Sequence, residues 1–151
     1  MATLLERMKD RLEEVVARGG MELVWENQCP EARLRVDTSI VEQILLNLVD
    51  NACKYAAEAT DRRIHLRALP QGGYAVLRLC DHGPGVSADV AGRLFRPFSK
   101  SAHEAANSAP GVGLGLALSR QLARRLGGEL ELDRNPPGGA CFALTFPLVS
   151  L

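Results

Sequence analysis

Three polar side chains in one stretch of chain pose the first chemical question. Asn47, Asn51 and Lys54 fall at i, i+4 and i+7, so a helix would carry them on one stripe. Val41, Ile44, Leu45, Leu48 and Ala52 make an apolar stripe beside them. Asparagine is a mediocre helix former, because its amide competes for backbone hydrogen bonds. Two of them inside a strong helix have two readings. One is a solvated polar face. The other is a rim that offers amide oxygens to a hard cation and an ammonium to phosphate. Magnesium keeps waters and phosphate oxygens and needs few protein ligands, so one amide carbonyl suffices.

Two further segments could meet a ligand. Asp81-His82-Gly83-Pro84-Gly85 follows the apolar run Tyr74 to Cys80. A carboxylate at a strand end, followed by spaced glycines, lets the backbone come close to a flat ligand while the Asp accepts a hydrogen bond. The exocyclic amine of adenine is such a donor; a ligand-free Asp-Gly turn is the plain alternative. Gly111-Val112-Gly113-Leu114-Gly115-Leu116 opens a helix. Alternating glycines let the backbone hug a polyphosphate where the helix N-terminus favours negative charge. The spacing is not the dinucleotide fingerprint, and the Lys-Ser/Thr of a P-loop is absent, so a ligand-free hinge is the competing reading.

The elements that must position these residues follow from periodicity. Residues 2–18 read as a helix, with Leu4, Met8, Leu12 and Val15 or Val16 on one face and Gly19-Gly20 as its end. Met21 to Glu26, with Trp25, reads as a strand, and Arg33 to Val36 as a short second one. Asp37, Thr38 or Ser39 caps a helix running to about Ala57, about 30 Å long. Ile64 to Leu69 and Tyr74 to Cys80 alternate as paired strands around the turn Gln71-Gly72-Gly73. Ser87 to Leu94 reads as a short helix and Ser99 to Pro110 as a long mobile loop. Gly113 to Leu126 reads as a helix with Leu114, Leu118, Leu122 and Leu126 in one apolar row, closed by Gly127-Gly128. Glu129 to Asp133 and Ala140 to Pro147 are strands joined by a Pro/Gly turn. The expected fold is α+β: a two-layer sandwich with a mostly antiparallel sheet and helices on one face.

Composition bounds the function. The 151 residues carry 18 basic and 18 acidic side chains, and zero net charge argues against nucleic acid as the main partner. No apolar run approaches the roughly 20 residues of a membrane span, and no secretory leader opens the chain. Cys29, Cys53, Cys80 and Cys141 form no CxxC pair and no zinc spacing. They read as four reduced thiols, three of them core fillers, in a cytoplasmic protein.

Taken together, these residues resemble the ATP-binding catalytic domain of bacterial sensor histidine kinases. That domain belongs to the superfamily shared with gyrase, gyrase-type heat-shock chaperones and mismatch-repair ATPases. Asn47 to Tyr55 is similar to the N box, Asp81 to Gly85 to the first glycine box, Leu94-Phe95-Arg96-Pro97-Phe98 to the F box, and Gly111 to Leu116 to the second glycine box. The four occur in the family's order over roughly residues 21–148. The resemblance implies a Bergerat-type fold with a mobile ATP lid at residues 99–110. It implies ATP and Mg2+ as cofactors, with Asn51 as metal ligand and Asn47 at the metal-phosphate end. Lys54 would meet the phosphates, and Tyr55 would lie near adenine or ribose. Asp81 would bond the adenine amine, with Gly83 and Gly85 giving it room. Phe95 and Phe98 would anchor the lid. Gly111, Val112, Gly113, Leu114, Gly115 and Leu116 would wrap the phosphates, and Lys100 would approach the terminal one.

Position 47 separates branches of that superfamily. Hydrolysing members and anti-sigma serine kinases carry a glutamate there as general base, whereas an amide accepts no proton at neutral pH. Asn47 therefore favours transfer to histidine, with an ATPase or serine kinase less favoured and a degenerate nucleotide-binding interaction module as the alternative. None of His65, His82 and His103 stands in the family's acceptor context. The implied partners are a separate histidine-bearing dimerisation domain and a response regulator downstream. Residues 1–18 read as a helix ahead of an ATP-binding domain at 19–151: a remnant of the acceptor hairpin, or the domain's own first helix. The parent protein of such a domain can be membrane-anchored.

Overall fold

Alternation decides which face of each strand is buried. In β2 (Arg63–Gln71), Ile64, Leu66 and Ala68 are buried, while His65 and Arg67 between them are half-buried on the other face. β3 (Tyr74–Cys80) buries Ala75, Leu77 and Leu79 on the same side, and β5 (Cys141–Pro147) buries Phe142, Leu144 and Phe146. β1 (Glu22–Asn27) and β4 (Glu129–Asp133) complete a five-stranded sheet in the order β1-β2-β3-β5-β4. β1 and β2 are parallel and the other pairs antiparallel, so the α+β sandwich with a mostly antiparallel sheet is as expected. The computed structural model describes residues 1–86, 91–92, 94–96, 115–133 and 139–149.

Among the described residues, three helices supply the second layer. α2 (Thr38–Tyr55) links the parallel strands and is capped by Asp37, whose carboxylate accepts from Ser39 N at 2.9 Å. Its apolar stripe is fully buried, from Val41 and Ile44 to Leu48. α1 (Ala2–Arg18) buries Leu4, Leu5, Met8, Leu12 and Val16 in the same core cluster. Trp25 of β1 packs against that cluster and donates its indole N–H to Glu13 of α1 at 3.0 Å. α3 (Gly115–Arg125) buries Leu116, Ala117, Ser119 and Ala123.

Two expectations are corrected here and one is refined. Arg33–Val36 forms no strand. It runs past the end of β5, where Val149 N donates to Arg33 O at 2.9 Å, and Leu34 and Val36 pack on the core. In α3 the leucine row is only partly turned inward: Leu122 and Leu126 pack on the core, Leu118 is 46% exposed, and Leu116, Ala117, Ser119 and Ala123 are the buried residues. The cysteines are not four free thiols. Cys80 and Cys141 face each other across β3 and β5 and are joined in a disulfide, leaving Cys29 and Cys53 free. Burial pushes both free thiols up from their ordinary pKa. The expected short helix at 87–94 lies largely, and the lid at 99–110 wholly, outside the described residues.

Leu12 tests whether α1 is integral to this core, since its side chain is wholly buried. Leu12→Ala should lower the unfolding free energy by about 2–5 kcal/mol in a single cooperative urea transition. A loss of under about 1 kcal/mol, within the range of surface substitutions, would show α1 to be peripheral.

Candidate functional site

Asp81 is the most informative side chain. It leaves the end of β3, is only 3% exposed, and is one of two buried polar residues among those described. Its Oδ1 accepts from Gly83 N at 2.8 Å and from Ala140 N at 3.2 Å, and its own N–H donates to Ala140 O at 3.0 Å. Oδ2 accepts from no described residue, yet no buried side-chain oxygen is left without a partner, so Oδ2 opens outward. Burial raises the Asp81 pKa, while the bonds from Gly83 and Ala140 pull the other way.

Two glycines make this geometry accessible. Gly139 has φ +79°, and a Cβ there would run into the Asp81 carbonyl oxygen. A Cβ on Gly83 would lie 2.7 Å from Tyr55 O, so this turn docks on the C-terminal end of α2. Gly83 therefore serves contact with α2, where sequence reasoning expected room for a ligand. Gly85, at φ +83°, abuts Gly139.

α2 brings its polar stripe alongside. Asn47 donates through Nδ2 to Ser119 Oγ of α3 at 2.8 Å, and a Cβ on Gly115 would sit 2.7 Å from Asn47 Oδ1. Asn47 is thus wedged against the start of α3, beside Leu116, which is buried. Asn51, one turn on, is half-buried and its amide bonds no described residue. Lys54 is exposed and paired with Asp50 at 3.0 Å, on the rim shared with a groove between α1 and α2. Tyr55 is half-buried at the end of α2. Phe95 meets Phe142 edge-on at 6.4 Å, and the Arg120 guanidinium lies 4.4 Å above its ring while also pairing with Glu129. Phe98, Lys100, Gly111, Val112, Gly113 and Leu114 lie outside the described residues.

Several contributors escaped sequence reasoning. Ser119 sits among apolar residues with no motif, and Ala140 acts through its backbone alone. Gly139 could be read only as part of a turn. His82 meets His65, Nε2 to Nε2, at 2.9 Å, with Asp61 3.5 Å from His82. Burial lowers the His65 pKa, with His82 adding to the effect.

The family described as "Histidine kinase-, DNA gyrase B-, and HSP90-like ATPase" matches residues 36–150. The chain belongs to this family. The ATPase-family domain is 37% identical over 98 residues to the C4-dicarboxylate transport sensor protein DctB of Rhizobium meliloti, covering 65% of this chain and 15% of that protein. It is 36% identical over 118 residues to the sensor protein KdpD of Escherichia coli, covering 78% of this chain and 13% of KdpD. The domain therefore spans a small part of these curated relatives. Among solved structures, full-length ShkA in complex with AMPPNP superposes with a TM-score of 0.79 at 26% identity, over 99% of this chain and 30% of that one. The mycobacterial sensor histidine kinase MprB superposes at 0.77 and 27% identity, over 100% and 97%. Family, relatives and fold together make this a catalytic domain of the sensor histidine kinase type. No helix among its described residues is long and apolar enough to cross a membrane.

The raised Asp81 pKa has a sign that can be checked. The native state holds the proton more tightly than the unfolded chain, so stability falls as pH rises from the ordinary carboxylate value, about 3.9, through the native one. Asp81→Asn keeps an oxygen for Gly83 and Ala140 and removes that cost. Thermal melts should show it at least as stable as wild type at pH 7, with the difference shrinking toward pH 4. An Asn variant clearly less stable at pH 7 would contradict this.

Proposed function

We propose that this domain binds ATP with Mg2+ and transfers the γ-phosphoryl group to a histidine on a separate dimerisation domain, from which a response regulator takes it. The observation that carries the reading is the buried Asp81 carboxylate, with Oδ1 tied to the backbone and Oδ2 left as acceptor, in a sensor-kinase catalytic domain. A planar base seated there would donate its exocyclic amine to Oδ2.

The chain's own side chains account for the rest of the binding. Asn51 offers an amide oxygen with no competing partner, which fits a metal that takes few protein ligands. When bound, magnesium neutralises phosphate charge and orients the transferring group. Asn47 positions the phosphate end, held by Ser119. Lys54 swings from Asp50 toward the phosphates, and Tyr55 lines the base or ribose. Gly111, Gly113 and Gly115 approach the phosphates through their backbone, with Val112, Leu114 and Leu116 between them. Lys100 meets the terminal phosphate, and Phe95 and Phe98 anchor the lid. Asn47 cannot take a proton from water, whereas a neutral imidazole is itself a nucleophile, so positioning and charge neutralisation suffice for transfer to histidine. Such a domain works on the cytoplasmic side, where ATP is, whether or not its parent protein is membrane-anchored.

Calorimetry should detect micromolar-to-millimolar ATP binding that requires Mg2+, with Asn51→Ala weakening the metal-dependent part by at least about tenfold, or 1.4 kcal/mol. Supplied with an acceptor domain, the protein should label its histidine from γ-labelled ATP while hydrolysing little ATP alone. Binding without any transfer would favour the interaction-module reading, and rapid hydrolysis the ATPase one.

A further inference from the structure

The disulfide lies at the root of the site. Cys80 and Cys141 are register partners at the end of the β3–β5 ladder, with Cα atoms 4.1 Å apart. The next residue after Cys80 is Asp81, and the residue before Cys141 is Ala140. These two make reciprocal bonds, Asp81 N to Ala140 O and Ala140 N to Asp81 Oδ1. The covalent link is therefore one residue from the bonds that hold the carboxylate. It also links positions separated by 61 in sequence, closing a stretch that carries Asp81, Phe95 and all of α3. The two ends of the link differ in burial: Cys80 is half-buried, whereas Cys141 is 4% exposed.

We propose that Cys80 and Cys141 form a reversible thiol–disulfide site that sets how firmly the Asp81 floor is held, and through it the affinity for nucleotide. The second clause rests on Asp81 being the acceptor for the base. The chemistry needs a two-electron oxidant such as hydrogen peroxide. The Cys80 thiolate attacks the O–O bond, giving a sulfenic acid and one water. The Cys141 sulfur then displaces the second water as the S–S bond forms. Two thiols and one peroxide thus yield one disulfide and two waters. A dithiol reverses the step, returning two electrons and two protons and becoming a disulfide itself. In the oxidised form the strand ends cannot part, and Asp81 stays aimed. In the reduced form only hydrogen bonds close the ladder there, so the floor opens more often.

The test uses the full chain, treated with hydrogen peroxide or with dithiothreitol. Alkylation and peptide mapping locate the link, amide exchange follows the Gly83 and Ala140 N–H groups, and calorimetry reads ATP·Mg affinity. The expected result is a mapped Cys80–Cys141 link whose reduction speeds exchange at both amides at least fivefold and weakens ATP·Mg at least threefold. Cys80→Ser and Cys141→Ala should both match the reduced form and ignore oxidant. Two results overturn the proposal: both thiols still alkylate after oxidation, or the mapped link leaves exchange and affinity unchanged. If neither form binds ATP·Mg while exchange still follows the link, the nucleotide reading fails and the redox control of the Asp81 floor stands.

Discussion

A buried carboxylate that spends one oxygen on the protein and keeps the other free is the constraint around which this domain is built. Removing Asp81 from water is costly, and its raised pKa records the strain on the charged form. Charge-assisted bonds from Gly83 and Ala140 offset part of that cost and fix the direction of Oδ1. Each donor has its own requirement. Ala140 stands at the head of β5 only because Gly139 turns with a positive φ, and Gly83 reaches Oδ1 only by lying against the end of α2. One carboxylate thus couples β3, β5 and α2. A group that lowers stability at neutral pH and still sits in the core is the kind of residue that function retains.

The second coupling runs between helices. Asn47 fills the space left by the missing side chain of Gly115 and bonds Ser119, so the polar stripe of α2 is set against the start of α3. That contact explains why an amide is at home inside a helix that would otherwise prefer aliphatic residues. Its nitrogen is engaged and its oxygen faces the helix start, and an amide oxygen accepts hydrogen bonds but takes no proton at neutral pH. Phe95 is held by an edge-on contact with Phe142 and by the Arg120 guanidinium over its ring.

Much of this was legible where the causes are local. The period of two in Ile64, Leu66 and Ala68, and the helical spacing of Val41, Ile44, Leu45 and Leu48, placed β2 and α2 within two residues of their observed ends. Asp81 and the asparagines stood out because their types conflict with their surroundings. What stayed hidden depends on strand order and helix rotation. Cys80 and Cys141 are 61 residues apart, and nothing near either announces that β3 and β5 are neighbours. The leucine row of α3 marked only part of its inner face: Leu122 and Leu126 pack on the core, but hydrophobicity marks large residues and passes over the buried Ala117, Ser119 and Ala123. Arg33–Val36 looked like a strand by composition but finds no ladder to join.

The central claim is that Asp81 Oδ2 reads the amine of a purine. The most direct test compares ATP with inosine triphosphate, which carries a carbonyl where ATP carries the amine, by calorimetry with Mg2+ on wild type and Asp81→Asn. The account predicts that wild type binds ATP at least about tenfold more tightly, because the carbonyl would face an unpaired buried acceptor. It also predicts that Asp81→Asn, which offers a donor at that place, loses the preference. Equal affinity of wild type for both nucleotides, or a preference that survives in Asp81→Asn, would contradict it.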